Sequence, residues 1–214
     1  MMGLFQKKIV PIVTPKYQLG HQDTVLVVGL GNTGKEYEKT RHNAGFLCVD
    51  EFAMQEEFNP WVEKSDLKSL LCAKIVDGKK VILCKPTTMM NLSGDAVQAV
   101  QKFYKISSKH TCVIYDELDI ELGTVRTQDT GGSAGHNGIK SLLDHIESTF
   151  WRIRIGIGPK MPEQMDTADF VLQNFSKDQL KTLIPVKKEA LALLNEWLAG
   201  NAKADTRKVS DQTK

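Results

Sequence analysis

Short apolar runs alternate with stretches of helical spacing along most of the chain. The apolar runs predict strands at Thr24–Val28, Leu70–Val76, Val81–Lys85, Thr111–Tyr115, Thr124–Thr127 and Trp151–Ile157. Apolar residues three or four positions apart predict helices at Asn43–Phe58, Ser93–Phe103, Gly138–Ile146 and Ser176–Ala199, the last kinked or split at Pro185. Because strands alternate with helices, the pattern is typical of an α/β domain.

The segment Asp77–Lys80 predicts a tight turn between two of these strands. Such a turn joins antiparallel neighbours, so an all-parallel sheet is excluded. We therefore expect a single α/β domain with a mixed, twisted β-sheet flanked by helices, for which 214 residues with 41% apolar positions suffice. The predicted boundaries are an N-terminal extension at 1–22, the domain at 23–200 and a polar C-terminal tail at 201–214.

The charge of the chain is nearly balanced, with 28 Lys and Arg residues against 26 Asp and Glu residues. Both terminal segments are net basic and the body is slightly acidic, so a nucleic-acid partner would need a local basic patch or the help of the tails. No apolar run approaches the ~18 residues that cross a bilayer, so we expect no membrane association. Residues 1–22 lack the features of a secretory signal, which favours a cytoplasmic protein, or an organellar one if they form a presequence.

Four cysteines are far apart in the sequence and form no C-x-x-C pair. They are Cys48, Cys72, Cys84 and Cys112. Three of them lie in apolar, strand-like runs, so we interpret the set as small buried residues in a reducing compartment. Because the spacing typical of metal ligands is missing, we expect no structural metal.

Three familiar motifs match in letters and fail in context. Gly29–Gly34 fits the dinucleotide fingerprint of oxidoreductases, but Asp50, the acid that would hold the ribose, lies inside a predicted helix instead of ending a second strand. The same loop nearly fits a phosphate-binding loop, but Glu36 stands where Mg²⁺ binding needs a hydroxyl. Gly131–Gly135 fits a nucleophile elbow, but no acid and histidine on separate loops follow Ser133.

Polar residues recur at the carboxyl ends of the predicted strands. Asn32 follows the first strand, Asn91 the third and Asp116 the fourth. His42 begins the first helix, and His136 follows the glycine loop beyond the fifth strand. Ligands of open α/β sheets gather outside the carboxyl ends of the strands. We therefore expect these side chains to share one pocket.

Six short motifs in a fixed order carry a family resemblance. They are Gly29–Gly34, Thr40–Gly45, Met90–Gly94, Asp116–Asp119, Gly135–Gly138 and Arg152–Gly158. With them, residues 24–200 resemble the bacterial-type peptidyl-tRNA hydrolases. The resemblance implies hydrolysis of the ester that joins a peptide to the ribose at the 3′ end of tRNA. It also implies a monomer that uses neither a cofactor nor a metal.

The resemblance assigns roles to four residues of the expected pocket. His42 would be the general base that takes a proton from water, a role that suits an imidazole that is neutral at physiological pH. Asp116 would accept a hydrogen bond from the other ring nitrogen. Asn32 would help to position His42 and neighbouring groups, and Met90 would pack beside the terminal ribose or base.

Three further residues complete the implied substrate site. Asn91 and Asn137 would form hydrogen bonds with the peptide and the water, and one of the two would donate to the developing oxyanion. Since a free aminoacyl group would leave these amides unpaired, the pair would favour peptidyl-tRNA over aminoacyl-tRNA. His136 has two interpretations, a substrate-binding group or a structural hydrogen-bonding residue of the glycine turn.

Binding of many different tRNAs requires phosphate contacts. The basic candidates are Arg126, Lys102, Lys105, Lys140 and Arg154. The family usually has a second base where this chain has Gln128, so the phosphate clamp is expected to be weaker or relocated. Arg152 and Arg154 share one side of a predicted strand, where solvent exposure is the simpler interpretation. The alternative function is a non-catalytic RNA-binding protein on the same fold, which the complete set of pocket residues disfavours.

Overall fold

The computed structural model describes residues 23–209, so the predicted N-terminal extension at 1–22 lies outside the described residues. The strands are β1 (Thr24–Gly29), β2 (Val62–Lys64), β3 (Ser69–Val76), β4 (Lys79–Pro86), β5 (Thr111–Glu121), β6 (Thr124–Gln128), β7 (Trp151–Gly158) and β8 (Asp205–Lys208). The helices are α1 (Ala44–Gln55), α2 (Ser93–Tyr104), α3 (Asn137–His145), α4 (Thr167–Val171) and α5 (Lys177–Leu198).

Within residues 23–209, the eight strands form one mixed sheet in the order β2-β3-β4-β1-β5-β7-β6-β8. The central strands β4, β1, β5 and β7 are parallel neighbours, and the pairs toward both edges are antiparallel. Asp77 and Gly78 join β3 to β4 with φ values of 47° and 81°, the left-handed pair that a tight hairpin turn requires. The predicted single α/β domain with a mixed sheet is confirmed.

Helices cover both faces of the sheet and create two cores. The core beneath α1 and α5 includes Phe52, Leu194 and the β7 residue Ile155. The core beneath α2 and α3 includes Val97 and Leu142. The four cysteines are buried and unpaired, in agreement with their interpretation as small apolar residues. No helix in residues 23–209 is long and apolar enough to span a membrane.

Three elements, β2, α4 and β8, are absent from the predicted pattern. The strand β8 lies within the segment predicted to be a polar tail and pairs antiparallel with β6 at the sheet edge. Its Arg207 also forms ion pairs with Glu189 and Glu196 of α5, at 2.8 and 2.9 Å. Backbone pairing and ion pairs thus hold a strand that contributes no apolar alternation, which is why the pattern does not reveal it.

The end of one strand and the continuity of one helix were also in question. The strand β5 continues to Glu121 through polar residues, beyond the predicted end, because it pairs with β7 through Glu117 and, after a bulge, again at Glu121. Helix α5 runs through Pro185 as one element, so the predicted kink or split at this residue does not divide the helix. It begins after Ser176, as predicted, with a reciprocal capping box between Ser176 and Gln179.

Close packing places the start of α1 directly against the carboxyl ends of β1 and β5. A Cβ atom on Gly45 would lie 2.2 Å from the carbonyl oxygen of Ile114 and 2.5 Å from the backbone nitrogen of Leu30. Both atoms belong to backbone that cannot move aside cheaply. Glycine at this position therefore lets the short turn before α1, which contains His42, approach the strand β5, which carries Asp116.

Candidate active site

A cavity of about 760 Å³ opens at the carboxyl ends of the central strands. All seven residues predicted to be catalytic or substrate-binding line it, namely Asn32, His42, Met90, Asn91, Asp116, His136 and Asn137. The remaining lining comes from Met89, from the segment after Asp116, from the glycine loop before His136, and from α4 with the residues that flank it. The structure thus brings the predicted pocket residues together.

His42 and Asp116 form a buried pair at the base of this cavity. The Nδ1 atom of His42 lies 2.9 Å from Oδ1 and 3.0 Å from Oδ2 of Asp116. The two residues are 7% and 2% exposed. The carboxylate can only accept, so Nδ1 donates and the His42 ring is held as the Nδ1–H tautomer. The Nε2 atom has no hydrogen-bond partner among the described residues, and its lone pair is available to a molecule in the cavity.

The electrostatics of the pair make His42 a stronger base. Burial works to lower the pKa of His42, but the charge of Asp116 and the hydrogen bond to it prevail and hold that pKa above its ordinary value. Burial likewise works to raise the pKa of Asp116, yet the charges and hydrogen bonds of His42 and His136 hold it well below its usual range. Asp116 is therefore an anion that stabilises a positive charge on His42.

His136 contacts the other side of the same carboxylate. Its Nε2 atom lies 3.0 Å from Oδ1 of Asp116. Its Nδ1 atom caps α3 by accepting the backbone N–H groups of Gly138 and Ile139, at 3.1 and 3.2 Å. A nitrogen that accepts two N–H groups carries no proton, so His136 is the Nε2–H tautomer. Since both ring nitrogens are in use, the geometry favours the structural interpretation of His136 over substrate binding.

The side chain of Asn32 forms a hydrogen bond with the turn that begins at Met90, and not with the imidazole of His42. Its Oδ1 atom accepts the backbone N–H of Met90 at 2.8 Å, and no hydrogen bond to His42 exists. Asn43, which follows His42, accepts the Asn32 backbone N–H at 2.8 Å and donates to the Asn32 carbonyl at 2.9 Å. Asn43 is thus a supporting residue that the sequence-based reasoning missed, although it lies in the same motif as His42.

The two remaining asparagines are exposed at the rim of the cavity. Asn91 lies in the turn that precedes α2, and Asn137 is the first residue of α3. Neither side chain forms a hydrogen bond within residues 23–209, so both amide groups are available to a ligand. Met90, by contrast, is 4% exposed and packs closely against Gly138, although it borders the cavity.

A model of the peptidyl-tRNA hydrolase family matches residues 26–214. The chain belongs to the peptidyl-tRNA hydrolase family. The peptidyl-tRNA hydrolase of Rhodospirillum centenum is 45% identical over 175 residues, which are 82% of this chain and 76% of that protein. The peptidyl-tRNA hydrolase of Rickettsia bellii is 46% identical over 155 residues, which are 72% of this chain and 83% of that protein.

Solved structures agree with this assignment to the peptidyl-tRNA hydrolase family. The crystal structure of peptidyl-tRNA hydrolase from Acinetobacter baumannii has a TM-score of 0.77 and 33% identity, and it covers 85% of this chain and 92% of its own. A complex of peptidyl-tRNA hydrolase with N-propanol has a TM-score of 0.77 and 34% identity, over 83% of this chain and 89% of its own. The resemblance seen in the six motifs is confirmed.

A peptidyl-tRNA hydrolase needs cationic groups for its tRNA, and two of the candidates lie on the sheet. Arg126 of β6 donates from Nε to Thr206 of β8 at 3.1 Å. Arg154 of β7 is half-buried and donates to Glu117 at 3.0 Å and to Gln128 at 2.8 Å. Gln128, which occupies the place of the family's second base, therefore holds Arg154 in position.

The expectation that Arg152 and Arg154 are solvent-exposed is wrong. Arg152 is 0% exposed, and its guanidinium donates to the carbonyl oxygens of Gly132 and Gly131 at 2.8 and 2.7 Å. This arginine holds the glycine loop that leads to His136. Alternation along a strand shows only that two side chains share a face, and here the glycine loop covers part of that face.

The three candidate lysines lie on or directly after helices α2 and α3 and are exposed. These helices cover the sheet face that also carries Arg126 and Arg154, because the neighbouring residues Val125, Ile153 and Ile155 point into the core on the opposite face. Lys140 is in the first turn of α3, close to the cavity. Lys102 and Lys105 lie at the far end of α2, a helix of 12 residues that begins at the cavity and spans about 18 Å. The structure therefore does not bring Lys102 and Lys105 together with the pocket residues.

His42, Asp116 and His136 are also the one group in residues 23–209 whose ligand atoms all lie within 4.8 Å, as metal binding requires. The hydrogen-bond pattern competes with such a role. His136 uses one nitrogen for Asp116 and the other to cap α3, so coordination by His136 would break at least one of these contacts. The donor set therefore fits a hydrogen-bonded triad better than a metal centre.

Proposed function

We propose that the chain hydrolyses the ester bond between the peptide and the 3′-terminal ribose of peptidyl-tRNA, with His42 as the general base. The observation that carries this proposal is the free Nε2 atom of His42, which faces a 760 Å³ cavity while Nδ1 is held by Asp116. Membership of the peptidyl-tRNA hydrolase family supports the substrate class.

The proposed reaction is a direct attack by water. Nε2 of His42 takes a proton from the water as the water oxygen forms a bond to the ester carbonyl carbon. The tetrahedral intermediate collapses by breaking the bond to the ribose oxygen, which takes the proton from the His42 imidazolium. The products are a peptide carboxylic acid, which ionises, and tRNA with a free terminal hydroxyl. Asp116 stabilises the imidazolium throughout and orients the ring.

Asn91 and Asn137 supply the polar contacts to the peptide side of the substrate in this proposal. Their amides are exposed at the rim and form no hydrogen bond with any other residue of the described range 23–209. One of them donates to the oxyanion of the intermediate, and the other pairs with a peptide amide. A free aminoacyl ester has no such amide and carries an ammonium group, so it would leave a polar partner unpaired.

The tRNA phosphates would be bound by cations on two surfaces. Arg126 and Arg154 lie on the sheet face beside Gln128, and Lys140 lies on the first turn of α3 near the cavity. Lys102 and Lys105 would contact only the tRNA body, because they are a helix length from the pocket. We further propose that the protein acts as a monomer in the cytoplasm.

A direct test compares two substrates side by side. N-acetylated aminoacyl-tRNA should be cleaved and free aminoacyl-tRNA should be spared, because only the first carries an amide where a peptide would begin. Activity should survive EDTA, since no step uses a metal. If the protein binds tRNA but cleaves neither substrate, the non-catalytic RNA-binding alternative is correct. Loss of activity in EDTA, restored by added metal, would contradict the metal-free reaction.

A further inference from the structure

Arg41 is a buried arginine directly before His42. It is 7% exposed and does not line the cavity. Its Nη1 atom donates to the carbonyl oxygens of Phe170 at 3.0 Å and of Gln173 at 3.4 Å, and the guanidinium carbon lies 4.2 Å from the centre of the Phe170 ring. Its Nη2 atom donates to Oε1 of Gln179 at 3.2 Å. The side chain of Arg41 thus connects the C-terminal end of α4 to the first turn of α5 by hydrogen bonds.

Backbone hydrogen bonds also connect the turn around Arg41 to the segment after α4. The N–H of Arg41 donates to the carbonyl oxygen of Gln173 at 3.0 Å, and the N–H of Phe175 donates to that of Lys39 at 3.0 Å. A β-bridge joins Thr40 to Asn174 between them. These two hydrogen bonds, which form the bridge, attach the turn that contains His42 to the segment after α4.

Helix α4 forms one wall of the cavity, and its buried residues belong to the core beneath α1 and α5. Thr167, Ala168 and Val171 line the cavity, and Leu172 follows them. The helix has five residues, of which Phe170 and Val171 are buried. A single turn of helix is not stable by itself in water, so its position depends on what it packs against.

We propose that Arg41 is a positioning residue that fixes the α4 wall of the substrate cavity relative to the His42 base. The proposal rests on the proposed function, because it assigns a role in binding peptidyl-tRNA. Several acceptors in different directions require the forked donors of a guanidinium. A lysine would keep the charge, but its single ammonium group could not donate in all the directions in which the acceptors of Arg41 lie. These acceptors include two backbone carbonyl oxygens and the side-chain oxygen of Gln179.

The variant Arg41→Lys tests this role. The Michaelis constant for N-acetylated aminoacyl-tRNA should rise about fivefold or more while kcat changes by less than about twofold, because His42 and Asp116 remain in place. Backbone amides of Phe170–Leu172 should exchange hydrogen faster. Nη1 of Arg41 also donates to the side-chain Oε1 of Gln173 at 3.3 Å, and the exposed Gln173→Ala removes only this acceptor. This variant should show the same effects at smaller size, and it keeps the test valid if Arg41→Lys does not fold.

Arg207→Lys is the matched control. It also removes a guanidinium that has several partners, namely Glu189, Glu196 and Asp205, but at residues outside the cavity lining. Its Michaelis constant should equal that of the wild type. Partial unfolding cannot imitate the expected result, because the Michaelis constant does not depend on the amount of folded enzyme.

Two outcomes separate this inference from the proposed function. Unchanged Michaelis constants in both Arg41→Lys and Gln173→Ala, with an active wild type, would show that Arg41 only stabilises the fold and would overturn the inference alone. A wild type that cleaves no N-acetylated aminoacyl-tRNA would overturn the proposed function and this inference with it.

Discussion

Two histidines form hydrogen bonds with Asp116, and they differ in the ring nitrogen that each uses for this bond. Both rings contact the carboxylate, and their centres are 4.8 Å apart. His42 presents Nδ1 to Asp116 from a turn before α1 and keeps Nε2 free. His136 donates from Nε2 to Asp116, and its Nδ1 atom caps α3. The choice of ring nitrogen, and not the residue type or the partner, decides which histidine can take a proton from water.

The largest difference between the two histidines should appear when each is removed. His42→Ala should lower the rate of N-acetylated aminoacyl-tRNA hydrolysis by roughly 10²–10⁴-fold, because the general base is lost. Binding of tRNA should persist. The exposed His110→Ala serves as the control and should have wild-type activity. Turnover by His42→Ala at the wild-type rate would show that another group is the base.

Removing the shared carboxylate should change the rate and its pH dependence. Asp116→Asn should lower the rate by roughly 10–100-fold, because an amide does not stabilise the imidazolium. The negative charge of Asp116 raises the pKa of His42, so its loss lowers that pKa. Since the base must be unprotonated to act, activity should then rise at a lower pH than in the wild type.

Rate measurements across the acidic limb check this shift, with the exposed Asp178→Asn as the control. A limb that stays in place or moves to higher pH would exclude Asp116 as the source of the raised pKa.

Two substitutions of His136 should separate its contact with Asp116 from its cap. His136→Asn keeps an acceptor suited to a helix start but loses the donor to Asp116, so activity should fall by less than about tenfold with little change in stability. His136→Ala loses both, and the cap should cost about 1 kcal/mol in the free energy of unfolding. Urea unfolding and hydrolysis rates measure the two quantities. A loss with His136→Asn as large as with His42→Ala would contradict the supporting role.

Those helices and strands that have a local sequence pattern could be predicted, and so could the pocket. Apolar runs predict β1 and β7, the segment Asp77–Lys80 predicts the hairpin, and Ser176 predicts the start of α5. The pocket followed from the rule that ligands gather at the carboxyl ends of strands, together with a family resemblance.

The remaining features depend on partners that are distant in the sequence. The polar strand β8 needs β6 and α5 beside it, and Arg152 is buried because the glycine loop lies over it. The role of His136 depends on which of its nitrogens meets the first turn of α3, which no spacing reveals. Of the groups near His42, Asn32 holds the Met90 backbone, while Asn43 fixes the backbone of Asn32.

His42 and His136 are opposite tautomers, and of these two rings only His42 keeps a nitrogen without a hydrogen-bond partner among residues 23–209. Nitrogen-15 NMR of the two imidazoles, assigned with His42→Ala and His136→Asn, distinguishes these tautomers. We expect a protonated Nδ1 and a bare Nε2 in neutral His42, and a bare Nδ1 and a protonated Nε2 in His136. A proton on Nε2 of neutral His42, with Nδ1 bare, would overturn the proposed base.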